Sequence, residues 1–232
     1  MQPIGRCTAW AMTAAVLLSG CTGSGSGDEP DASGPPRLTA TGPASSGGPT
    51  QGSQPSAVPT TPEEAVHTVA LSAADLPAGW TVEESPTDGN IDDDPTFLGL
   101  CDFEFLSERR RTAKVPVTGI NPDGIAVLTT EAVSYDAADG AELALIELRG
   151  AYQNCPPDRT FVEIPPIEQT GLAQDRVVVE YTLEEGTTQT VIVQRRGSVL
   201  SLILGEVRLI TFDAARKMFT RLTALSPKAA GE

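Results

Sequence analysis

Hydrophobic positions are unevenly spread along the chain. Thr8 to Leu18 is a short, almost purely apolar run, and a long stretch without periodicity follows it. From residue 63 onward apolar positions return in patterns that predict secondary structure. Leu71 to Leu76 reads as one helical turn with Ser72 as its N-cap, stopped by Pro77. Gly79-Trp80-Thr81-Val82 reads as a strand start, and Ala65-Val66-His67-Thr68-Val69 alternates as an edge strand would. Residues 85–96 are loop, dense in Asp, Pro and Gly, before Phe97, Leu98 and Leu100 lead back to a core beside Cys101.

The second half is cleaner. Ala126–Tyr135 is expected as a strand after the turn Asn121-Pro122-Asp123-Gly124. Asp136 should cap a helix whose apolar residues Ala141, Leu145, Leu148 and Tyr152 share one face, ended by Pro156-Pro157. Segments 176–183, 188–194 and 198–204 form a meander of three strands joined at Gly186 and Gly197. Phe212, Ala215, Phe219, Leu222 and Leu225 mark the apolar face of a last helix, with Arg216, Lys217 and Arg221 on its wet side. Strands joined by hairpins and interrupted by helices argue for an α+β fold: a single antiparallel sheet with helices packed on one face, preceded by a disordered tether.

Composition adds the surroundings. Of the 41 residues 22–62, 29 are Gly, Ser, Pro or Thr, too polar and too flexible to pack. The domain plan is therefore a signal peptide at 1–20, a lipidated cysteine and tether at 21–62, a sensor-like domain at 63–227 and a tail at 228–232. The 11-residue stretch Thr8–Leu18 is too short to span a bilayer, which takes about 20 residues, and suits a signal peptide. Leu18-Ser19-Gly20-Cys21 follows it and resembles the lipobox of bacterial lipoproteins. That resemblance implies cleavage before Cys21, a lipid on its sulfur, and a location on the outer face of the cell membrane, where two or more acyl chains hold a protein stably.

Cys7 leaves with the signal and Cys21 is lipidated, so Cys101 and Cys155 remain. A structural disulfide is the expected reading outside the cytoplasm; two reactive thiols or half of a metal site are the alternatives. It would close a loop of about 55 residues, worth about 4 kcal/mol by chain entropy.

The formal charge of −15, from 16 basic and 31 acidic residues, argues against nucleic acid as a partner. A single histidine, His67, excludes any site that needs two. Asp88, Asn90 and Asp92 match the first three ligands of a calcium loop, but Asp93 and Gly99 stand where Gly and Glu are required, so no metal or other cofactor is expected. Arg109-Arg110-Arg111 is the one basic run of the domain, either a contact for a lipid headgroup or other anion or a strand edge guarded against aggregation.

The segment Leu71-Ser72-Ala73-Ala74-Asp75-Leu76-Pro77-Ala78-Gly79-Trp80, a cysteine some 20 residues on, a second after a helix and a closing helix resemble small actinobacterial lipoproteins. That group is similar to the extracellular sensor domain of a mycobacterial receptor Ser/Thr kinase, which carries more than one disulfide. The resemblance implies a ligand-binding or sensor-like domain without catalysis. On the residues alone, the expectation is a non-enzymatic module for a small apolar or amphiphilic ligand. A protein–protein module of an envelope complex, or a carboxylate hydrolase using pairs such as Glu163 with Glu168 or Glu184 with Glu185, are the other readings.

Overall fold

The computed structural model describes residues 58–85, 90–97, 100–157, 159–182 and 186–232. The signal segment, Cys21 and most of the tether lie outside these residues, as do Asp88, Leu98, Gly99, Glu184 and Glu185. Seven strands form one antiparallel sheet: β1 (Thr81–Glu84), β2 (Arg111–Ile120), β3 (Ala126–Tyr135), β4 (Thr160–Glu163), β5 (Arg176–Thr182), β6 (Thr188–Arg196) and β7 (Val199–Gly205). Their order across the sheet is β1-β2-β3-β7-β6-β5-β4. The α-helices among the described residues are α1 (Pro62–Val69), α2 (Ala138–Gln153), α3 (Arg208–Ala224) and α4 (Pro227–Ala230). No helix among the described residues is long and apolar enough to cross a membrane.

The α+β class, the single antiparallel sheet and the β5–β6–β7 meander are as the pattern predicts. The β2–β3 hairpin turns at Asn121, whose Oδ1 accepts from the backbone N–H groups of Asp123 and Ile125, with Gly124 at φ 78°. At the β6–β7 turn Gly197 is obligatory. Its φ is 56°, and a Cβ there would lie 2.0 Å from the carbonyl oxygen of Ala230.

The helices divide between the two faces of the sheet and do not share one. β5 and β6 are buried on both sides: Val178 and Ile192 join the core under α1, α3 and α4, while Val177, Val179, Val191 and Val193 join the core under α2. Period-two alternation marks which residues share a face, but near-continuous apolar strands such as Val177-Val178-Val179 signal cover on both.

Three further segments depart from expectation. Ala65–Val69 belongs to α1 and not to an edge strand. Thr61 caps it through the N–H of Glu64, Pro62 opens it, and Ala65, Val66 and Val69 are buried while His67 is exposed. Asp136 does not cap α2; Ala137 occupies that position, and the Asp136 carboxylate pairs with Arg110. Residues 228–232 are no loose tail. Ser226 caps α4, Ala229 and Ala230 are fully buried, and the Ser198 N–H donates to the Ala230 carbonyl at 2.7 Å.

Candidate ligand-binding groove

The residues of α2 that meet the sheet are mostly small. Ala141, Ala144 and Ala151 alternate with Leu145 and Leu148, so the helix seats closely over Val133, Val177, Val193 and Leu200. Beyond its footprint, toward the edge strand β4, the sheet carries aromatic residues. The register sets Phe161 of β4 opposite Tyr181 of β5, with ring centroids 4.3 Å apart, and Tyr152 from the last turn of α2 stacks on Phe161 at 4.1 Å.

A groove of about 410 Å³ opens beside this stack. Arg149, Tyr152 and Gln153 form its α2 side, Phe161 and Glu163 its β4 side, and Val177 to Val179 its floor. Gln169 and Arg176 close one end. Tyr152 also lines a second, largely apolar cavity of about 170 Å³, with Phe97, Leu100, Tyr181, Val191, Leu202 and Leu204 among its walls. The Tyr152 hydroxyl is buried and has no hydrogen-bond partner among the described residues. Burial, and then the neighbouring Tyr181, push its pKa well above that of a free phenol, so it remains a neutral donor.

The arginines of the groove are tied to backbone more than to acids. Arg149 Nη2 donates to the Arg176 carbonyl at 2.9 Å and reaches Asp175 Oδ1 at 3.4 Å. Asp175 is shared with Arg195, which also bridges to Glu142. Arg176 hydrogen-bonds to Gln169 Oε1 and to the carbonyls of Ala173 and Gln174, and it forms no ion pair with an acid among the described residues.

The residues singled out from sequence are dispersed. Cys101 and Cys155 are bonded, with Cα atoms 4.5 Å apart. The bridge ties the end of α2 to a segment where Cys101 and Asp102 hold left-handed φ of 55° and 53°, a conformation that side chains disfavour. The three consecutive arginines have different ion-pair partners. Arg109 is exposed beside Glu104; Arg110 spans Asp136 and Asp139; Arg111 is buried and bonds Glu108 and the carbonyls of Ile91 and Asp94. Each of these arginines already faces a protein carboxylate; Arg109 and Arg111 border one cavity with Asp92 and Glu108. Arg109 and Arg110 precede β2, and Arg111, its first residue, ties down the segment 91–97. Glu163 lines the groove, but Glu168 is paired with Arg208, so these two carboxylates do not face each other across it. Among the described residues no group of three His, Cys, Asp or Glu is placed to hold a metal ion.

Sequence reasoning misses the polar layer that braces this side of the sheet. Lys114 Nζ is buried between Asp94 Oδ2 at 2.6 Å and Glu131 Oε1 at 3.4 Å. Burial raises the pKa of Glu131 despite Lys114. Glu147 reaches from α2 to accept the N–H groups of Leu106 and Ser107 at 2.9 and 3.0 Å. Nothing in spacing marks these residues, because each partner lies more than 15 positions away.

No family model matches the chain, and no curated protein matches it. Among solved structures it is similar to the extracellular domain of PknH from Mycobacterium tuberculosis, with 13% identity and a TM-score of 0.45 over 69% of this chain and 97% of that one.

Proposed function

We propose that this protein is a non-catalytic ligand-binding module, held at the outer face of the cell membrane by a lipid on Cys21, whose groove beside α2 receives a small apolar or amphiphilic ligand. The observation that carries this reading is the groove itself. It is of the size that small-molecule sites usually have, is floored by valines, is walled by Tyr152 and Phe161, and has a few polar groups at one end. A rigid sheet positions it, and the disulfide at Cys155 fixes the end of the helix that forms its wall.

The test is native mass spectrometry of the full protein released from its own membrane. An apolar or amphiphilic molecule should co-purify and be displaced when Val179→Trp fills the groove. A protein that is empty in every preparation, with unaltered behaviour in the Val179→Trp variant, contradicts the reading.

A second reading, a docking surface for an envelope protein, draws on a different region. Val162, Ile167 and Leu209 are 60%, 82% and 78% exposed, and Arg208 links their neighbours Glu168 and Glu180 at the β4 edge. Cross-linking in the membrane that depends on Ile167 and Leu209, and not on Val179, would favour it.

A further inference from the structure

The groove has two ends of unlike chemistry, and the register fixes which is which. The bond from Arg149 Nη2 to the Arg176 carbonyl holds the Arg149 side chain at the start of β5, where Arg176 also borders the groove. Three residues further along α2, Tyr152 stacks on Phe161, the partner of Tyr181. Arg176 and Tyr181 are five positions apart on β5, about 17 Å of extended chain. The floor between them is Val177 and Val179. Beyond Tyr152 lies the second cavity, lined by Phe97, Val191, Leu202 and Leu204.

The arginine end has unused capacity. Arg176 uses Nε and Nη1 on neutral acceptors, and among the described residues it has no acid partner and no bond from Nη2. Arg149 engages its surroundings through Nη2 alone. Among the described residues that line the groove, Glu163 is the carboxylate, against Arg149 and Arg176; Asp175, which pairs with both Arg149 and Arg195, lies outside the lining. Planar guanidinium donors with free edges match the oxygens of a carboxylate or a phosphate.

From these observations we infer that the groove binds an anionic amphiphile, with its oxyanion head at Arg149 and Arg176 and its apolar chain running past Tyr152 toward the second cavity. The inference rests on the groove being a ligand site, and adds the charge and direction of the ligand. A head group of either kind, carboxylate or phosphate, satisfies the same donors.

Calorimetry on the full protein with decanoate, decyl phosphate and decanol separates the possibilities. One or both anions should bind at least about tenfold more tightly than decanol, and the tighter of the two identifies the head group. Arg149→Gln and Arg176→Gln should each weaken the anions about tenfold and leave decanol unchanged, while Glu163→Gln should strengthen the anions a few-fold. Arg176 also braces Gln169 and Ala173, so Arg149→Glu, at a half-exposed site, decides the matter if the Arg176 variant loses its fold. Equal binding of all three probes overturns this inference and leaves the groove as an apolar site. Binding of none of them overturns the groove reading as well.

Discussion

The two faces of the sheet are built on opposite plans. Under α1, α3 and α4 the core is almost entirely aliphatic, with Ala65, Val66, Ala214, Ala215, Met218 and Leu222 all fully buried. Among the long-range polar contacts of this face, Arg221 grips Asp75 with two bonds of 2.7 Å and takes the carbonyls of Val69 and Ala70. Burial pushes the Asp75 carboxyl upward, but hydrogen bonds from Arg221 and the Ser72 N–H outweigh it and hold the group below its ordinary value. The α2 face is aromatic, braced by buried charges and a disulfide, and it holds two cavities. Small residues pack closely in the core of one side, whereas large rings and a short edge strand leave gaps on the other. Space for a ligand arises where packing is least complete.

The largest effect should come from the bridge. Replacing both Cys101 and Cys155 by Ala is expected to cost about 4 kcal/mol in urea unfolding. Hydrogen exchange should then rise in residues 100–108 and the last turn of α2 while α1 and α3 stay protected. A uniform rise over both faces would erase the contrast.

Volume changes sharpen it next. Leu222→Ala, in the aliphatic core, should cost about 3 kcal/mol in the same assay. Val191→Leu, bordering the second cavity, should cost less than about 1 kcal/mol because the added carbon enters existing space. Equal penalties for the two would mean that the α2 face is as tightly packed as the other.

Titration separates the faces by sign. A carboxyl whose folded pKa is lowered, as for Asp75, adds stability above the unfolded value of about 3.9 and loses it as pH falls through the folded value. Asp75→Asn should therefore cost about 2 kcal/mol at pH 7, a deficit that closes in unfolding curves taken near pH 3 and below. Glu131 has a raised pKa, so it costs nothing below its unfolded value of about 4.3 and costs stability as pH rises above that. Glu131→Gln should remove that loss, so that relative to the unaltered chain its stability improves from pH 4 to pH 8 in unfolding curves. If both variants tracked pH with the same sign, the assignment of one face as charge-stabilised and the other as charge-burdened would fail.

What the chain alone determines is what depends on near neighbours. The β5–β6–β7 meander, the Asn121 turn, the capped turn at Ser72 and the apolar stripe of α2 are legible because each rests on residues within one hairpin or a few helical turns. Even the misreading of Ala65–Val69 is local: Thr61, Pro62 and the acidic pair Glu63-Glu64 are helix-start signals that outweigh a short alternation of β-branched residues. The tertiary structure alone decided that the helices take both faces, that β2 separates β1 from β3, and that residues 160–163 form the edge strand β4. It also decided the groove. Arg149, Tyr152, Phe161 and Arg176 come from three elements whose approach depends on how α2 crosses the sheet, and each of these residue types is ordinary at its own place in the chain. A composite site leaves no spacing to read, since the physical cause that brings its parts together is the packing of the core beneath them.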